Sequence, residues 1–106
     1  MKVYGLKTCD TCRAAVKALT GQGAVLIDIR ETPLDVATRA RFLAEFGDAL
    51  VNRRSTTWKG LSDAERADAP EPLLAAHPAL MKRPVIDADG ALYLGWDAGV
   101  RAALGV

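Results

Sequence analysis

Two cysteines stand three residues apart in the segment Cys9-Asp10-Thr11-Cys12, and the chain has no others. Thiols at this spacing can ligate a metal or exchange with disulfides. A structural staple is disfavoured, because so short a ring restrains little of the unfolded chain and a reducing compartment would keep it open. A zinc site needs four ligands, and beyond the pair the chain offers only His77 as a conventional soft partner. The expectation is therefore redox chemistry without a metal. Other chemistries lack their residues. A phosphatase-type anion loop would carry Arg six residues after a nucleophilic Cys, where this chain has Ala15 and Ala18, and Arg13 comes too early. Neither G-x-G-x-x-G nor G-x-x-x-x-G-K-[ST] occurs. Asp87-Ala88-Asp89-Gly90 lacks the later acidic ligands of a calcium loop, and His77, between Ala76 and Pro78, reads as a helix-end residue.

The thiolate is the reactive form of cysteine, so the elements around the pair decide what it can do. Val3-Tyr4-Gly5-Leu6 is a short apolar run that predicts a strand. From Cys12 the positions Cys12, Ala15, Val16 and Leu19 follow the i, i+3, i+4, i+7 pattern of one helix face, with Gly21 and Gly23 to stop it. Cys9 then falls just before the first helical turn, where unpaired backbone N–H groups and the positive end of the helix dipole favour a thiolate. Cys12, one turn on, shares the apolar face and points inward, shielded but within reach. That is the layout of an attacking and a resolving thiol. The plainer alternative is a buried Cys12 that packs as a small apolar group beside an incidental Cys9, and the strand-before, helix-after context weighs against it.

Ala24-Val25-Leu26-Ile27-Asp28-Ile29 is a nearly continuous apolar run and reads as a strand buried on both faces in a parallel pairing, so the chain opens β-α-β. Pro33 and Asp35 open a helix whose inner side is expected to carry Val36, Ala40, Leu43 and Phe46 or Gly47, with Gly47 as its cap. Ser62-Asp63-Ala64-Glu65 is a capping box. Pro70 and Pro72 are read as breaks, and Leu73-Leu74-Ala75-Ala76 as a last helical turn before His77-Pro78. Asp89-Gly90, between Val85-Ile86-Asp87 and Leu92-Tyr93-Leu94, is a hairpin signal, and Asp97 is placed to cap a helix from Ala98 to Leu104. The expected architecture is one α/β domain over residues 1–106: a thioredoxin-like four-stranded mixed sheet, β-α-β then β-β-α, with a helical insertion at about 35–80.

Half of the 106 residues are apolar and a quarter charged, with 14 Lys and Arg against 13 Asp and Glu, so neither nucleic acid nor an anionic membrane is an expected partner. No run of 18 apolar residues occurs, and Met1-Lys2-Val3-Tyr4-Gly5 lacks the apolar core of a signal peptide, which makes the cytoplasm the expected location. Any electrostatic function must be local. A thiolate that attacks an oxyanion or a glutathione adduct needs fork-shaped cationic donors, and the two concentrations are Asn52-Arg53-Arg54-Ser55 and Lys82-Arg83-Pro84. Arg53 is read as a solvated charge. Arg83 precedes a proline and so cannot be helical, and a cis bond there would aim it at a neighbouring loop.

The chain resembles the small glutathione-dependent arsenate reductase (ArsC) family with its Spx and YffB relatives. The likeness runs over nearly all of it: Val3-Tyr4-Gly5 before Cys9-Asp10-Thr11-Cys12, Leu50-Val51-Asn52-Arg53-Arg54-Ser55-Thr56-Thr57-Trp58, His77-Pro78-Ala79-Leu80-Met81-Lys82-Arg83-Pro84-Val85-Ile86, and Leu94-Gly95-Trp96. The Asn52 to Trp58 string looks most like the YffB branch. The resemblance implies a thioredoxin-like fold with a helical insertion and a glutathione-linked thiol reductase. It implies a nucleophilic Cys9 with Arg54 and Arg83, to which the helix-face reading adds Cys12 as the fourth catalytic residue; the substrate-binding set is Thr8, Arg54, Arg83 and Pro84, with glutathione as co-substrate, glutaredoxin as a further partner, and no metal. Arsenate reductases of this group have a third arginine shortly after the last strand. The matching place here holds Trp96, or Gly95 if the register slips by one, which leaves an arsenate transition state one donor short. Cys12 also departs from the arsenate reductases. Its C-x-x-C is similar to that of the Spx regulators, and the alternative function this implies is a redox sensor that docks on RNA polymerase.

Overall fold

The computed structural model describes every residue from Met1 to Val106. In chain order its elements are β1 (Lys2–Gly5), α1 (Asp10–Ala18), β2 (Val25–Asp28), α2 (Val36–Phe46), α3 (Thr56–Lys59), α4 (Asp63–Arg66), α5 (Pro70–Ala76), β3 (Val85–Ala88), β4 (Ala91–Leu94) and α6 (Ala98–Ala103). They form two units, Met1–Thr32 with Arg83–Val106, and Pro33–Lys82.

The first unit holds the thioredoxin-like four-stranded mixed sheet, in the order β2-β1-β3-β4. β1 pairs parallel with β2 and antiparallel with β3, and β3 pairs antiparallel with β4. The β3–β4 turn is Asp89-Gly90, with φ of 52° and 98°, the left-handed pair that a two-residue hairpin requires. Side chains alternate across the strands, and Val3 and Ile86 meet Ala15 of α1, Leu19 at its C-terminal cap and Leu104 beyond α6 in one buried cluster. Both helices therefore cover the same face of the sheet. Asp97 caps α6, accepting the Val100 N–H at 2.9 Å. No helix of the chain is long and apolar enough to cross a membrane.

β2 differs from the expectation. It is an edge strand with a single neighbour, its Val25 is 60% exposed and the rest of it is half-buried. A continuous apolar run signals a strand but not how many strands flank it. α1 ends at Ala18, before either glycine, and a 3-10 turn over Thr20–Gln22 follows, closed by Gly23 at φ 78°.

In the second unit α2 is capped by Asp35, which accepts the Thr38 N–H at 2.7 Å, and ends at Gly47, whose φ is 56°. Its inner side is centred on the fully buried Phe42, with Leu43 and Phe46 half-buried, whereas Val36 is 68% exposed and Ala40 is exposed. The expected apolar stripe was thus rotated from the true one. α5 packs against α2, joined by an Arg39–Glu71 ion pair of 2.9 Å. Pro70 and Pro72 lie in the first turn of α5 and begin it rather than break the chain, since the missing N–H costs nothing there. The capping box at Ser62 and Glu65 is formed. Val51 and Met81 form an antiparallel bridge that the helical pattern of this region did not announce.

Candidate active site

Leu6 to Cys9 form the turn that carries the chain from β1 into α1, with the Cys9 N–H donating to the Leu6 carbonyl at 3.0 Å. Cys9 is the N-cap of α1. Its backbone is extended (φ −90°, ψ 117°), and its Sγ accepts the Cys12 N–H at 3.4 Å. A sulfur thus takes the place usually given to a serine or aspartate oxygen, at the positive end of the helix dipole. Cys9 is half-buried and Cys12 fully buried.

Arg83 arrives from the neighbouring strand. Tyr4 of β1 is opposite Val85 of β3, and the strands are antiparallel, so Arg83 stands where Leu6 leaves the sheet toward Cys9. The Arg83–Pro84 bond is cis. Pro84 is fully buried and its carbonyl accepts the Gly95 N–H at 2.8 Å.

These surroundings push the two thiols in opposite directions. Partial burial alone would raise the Cys9 value, but the hydrogen bonds from the Cys12 side chain and backbone, then the charge of Arg83 and a hydrogen bond from it, outweigh burial and bring it below the ordinary cysteine range. Cys12 is pushed up to about 12, first by burial and then by its hydrogen bond to Cys9, against which the Leu6 N–H and Arg83 act only in part. The arrangement favours a proton on the deep sulfur and a thiolate on the outer one.

Of the residues singled out in the sequence, Cys9, Cys12 and Arg83 converge, and Pro84 follows Arg83 in the chain. Thr8 is exposed in the turn before Cys9. Arg54 belongs to the second unit, where it is exposed and its backbone N–H donates to Asn52 Oδ1 at 3.0 Å. Arg53 is held within that unit, its guanidinium 5.3 Å from the Trp58 ring and 3.7 Å from the Asp48 carboxylate. Trp96 is half-buried, packs on the cluster of Val3, Ala15 and Ile86, and lies beneath Arg101 at 5.9 Å. His77 caps α5 and sits 3.1 Å from Glu65. No group of three or more His, Cys, Asp or Glu gathers in a way that could hold a metal ion.

Asp28 escaped the sequence analysis. One of its carboxylate oxygens accepts the Lys7 N–H at 2.9 Å and the other the N–H groups of Arg30 and Glu31 at 2.8 and 3.2 Å, and the Lys7 ammonium pairs with Glu31. The turn before Cys9 is thereby tied to the end of β2, and the Lys7 N–H in particular holds the Asp28 carboxyl below its usual range. An acidic residue closing an otherwise apolar strand was the available signal.

The ArsC family model matches residues 4–103. An uncharacterized protein of Haemophilus influenzae is 37% identical over 102 residues, 90% of either chain. Among solved structures, a YffB protein is 31% identical with a TM-score of 0.85, covering 97% of this chain and 96% of its own. An arsenate reductase (ArsC) related protein from Brucella melitensis is 32% identical with a TM-score of 0.73, covering 99% and 94%.

Proposed function

The chain belongs to the ArsC family, and from that membership and the site geometry we propose that it is a glutathione-linked thiol reductase of the cytoplasm with Cys9 as its nucleophile. The observation that carries the reading is the Cys9 sulfur at the N-cap of α1, accepting the Cys12 N–H beside the Arg83 guanidinium. A thiol lowered in this way is ionised to a larger share than a free cysteine, and the thiolate attacks without a separate base.

In the proposed cycle the Cys9 thiolate attacks one sulfur of a disulfide, such as a mixed disulfide with glutathione. A bond forms between Cys9 Sγ and that sulfur, the substrate S–S bond breaks, and the departing thiolate takes a proton from solvent. Free glutathione then attacks the substrate-derived sulfur of the adduct and frees Cys9 as thiolate, or Cys12, giving up its proton, attacks Cys9 Sγ, forms a Cys9–Cys12 disulfide and expels the bound thiol, after which two glutathione molecules reduce that disulfide. Glutathione supplies the two electrons and leaves as its own disulfide. Arg83 holds the anionic part of the substrate near Cys9, and the family resemblance adds Arg54 and Thr8 to the binding set. The proposal includes no metal, and it needs a reducing compartment that keeps glutathione reduced.

Trp96 stands at the place of the third arginine, so arsenate reduction is expected to be weak where reduction of a glutathione mixed disulfide is measurable. The test follows NADPH oxidation coupled through glutathione reductase, with each substrate in turn. Turnover of the mixed disulfide that exceeds arsenate turnover supports the reading. Robust arsenate turnover shows that the anion site has been misassigned, and no turnover of either, with capture of the RNA polymerase α subunit from extract, points to the regulator instead.

A further inference from the structure

Gly5 closes β1, paired with β2 and one residue beyond the last β1–β3 pair, Tyr4–Val85. It stands opposite Asp28 of β2, and its carbonyl accepts the Ile29 N–H at 2.9 Å. Its backbone is not among those with positive φ, and the register shows no bulge. A glycine in a strand forgoes packing that a β-branched residue would supply, and without a turn or bulge to explain it the usual reason is a close approach by another group.

That group is Cys12. A Cβ on Gly5 would lie 2.3 Å from Cys12 Sγ and 3.1 Å from Cys12 Cβ. Neither side has room to retreat. β1 is an inner strand, hydrogen-bonded to β2 on one edge and β3 on the other. α1 is pinned through Ala15 and Leu19, both fully buried in the cluster with Val3. The Cys12 sulfur turns on one torsion, so any side chain at position 5 would rotate it out of its place.

We propose that Gly5 is a positioning residue for the cysteine pair: the space of its missing side chain is the seat of the Cys12 sulfur, and that seat aims the thiol at Cys9. The inference rests on the reading of Cys9 as nucleophile. The Cys12 thiol is the largest of the groups that favour the Cys9 thiolate, so a displaced Cys12 sulfur removes a donor from Cys9 and moves the second thiol out of line for disulfide formation.

The test compares the native protein with Gly5→Ala, Cys12→Ala and the double variant, reading the Cys9 titration midpoint from the pH dependence of its alkylation by iodoacetamide. Gly5→Ala should raise the midpoint by about 0.5 to 1 pH unit, the size of one hydrogen bond. It should also slow Cys9–Cys12 disulfide formation at least about tenfold, since a misplacement of one ångström costs a reaction on the order of a hundredfold. In the Cys12→Ala background Gly5→Ala should leave the midpoint where it was, and most of the Tm lost in the single variant should return, the 3.1 Å approach to the Cβ at position 12 alone remaining. If Gly5→Ala does not fold, the double variant decides: recovery of the fold supports the seat, and failure of both overturns it. An unchanged midpoint, or the same shift with and without the Cys12 sulfur, also overturns it. Turnover of a glutathione mixed disulfide by Cys9→Ser separates the two ideas. Lost turnover there beside an indifferent Gly5→Ala removes the seat and leaves the nucleophile standing, whereas surviving turnover removes the nucleophile itself.

Discussion

The outer and inner ends of the first turn of α1 hold the same side chain in opposite surroundings. At the outer end the Cys9 sulfur is half-buried and faces the Cys12 N–H and Arg83. At the inner end Cys12 is fully buried, its sulfur against the backbone of Gly5. Donors and a cation favour the charged form, while burial favours the neutral one. The contrast comes from position along one helical turn and needs no catalytic base.

The sharpest break is removal of the outer sulfur. Cys9→Ser should lose at least about a thousandfold in kcat for a glutathione mixed disulfide, because a neutral hydroxyl with no base nearby is a poor nucleophile, and retention of activity would locate the chemistry elsewhere. Next comes the cation. Arg83→Ala should cost on the order of 10- to 100-fold in kcat/KM, the share of a charge-assisted hydrogen bond, and should raise the Cys9 titration midpoint. Arg83→Lys should restore part of the midpoint but less of the activity, since the charge returns without the fork. An Arg83→Ala enzyme with native kinetics would remove Arg83 from the site.

The two thiols should also pull the stability of the fold in opposite directions as pH changes. An unfolded cysteine titrates at about pH 8.5. Cys9, lowered in the folded state, adds stability that is complete above that value and is lost as pH falls through its folded midpoint. Cys12 is raised to about 12, so its contribution is complete below about pH 8.5 and disappears as pH climbs toward that folded value. Urea midpoints measured across this range should show an alkaline decline in the native protein that Cys12→Ala reduces. Equal declines in both proteins would mean that the inner thiol is not held in its neutral form.

The smallest effect concerns Trp96. Trp96→Arg replaces a ring that packs on the core cluster, so it should cost about 1 to 3 kcal/mol of stability while raising whatever arsenate turnover exists. A variant as stable as the native protein would show that the ring contributes little packing.

The features legible in the sequence were those that depend on neighbours in the chain. The Asp89-Gly90 turn, the Ser62 capping box, Asp97 and the placement of Cys9 at a helix start are each decided within about four residues. What escaped depends on residues far apart. Val25 looks like a buried strand residue until strand order makes β2 an edge. Val36 and Phe42 both suit a helical apolar stripe, and only the packing of α2 against α5 chooses between them. Gly5 carries no turn signal, and its meaning appears only when the side chain of Cys12 is placed against it.

The central claim is that the start of α1 lowers the Cys9 thiol below an ordinary cysteine and so favours its thiolate. It is tested most directly by following thiolate absorbance against pH in Cys12→Ser, where Cys9 is the only thiol. The account expects a midpoint below that of a free cysteine, about 8.5, because the backbone N–H and Arg83 remain in place. A midpoint at or above that value would contradict it.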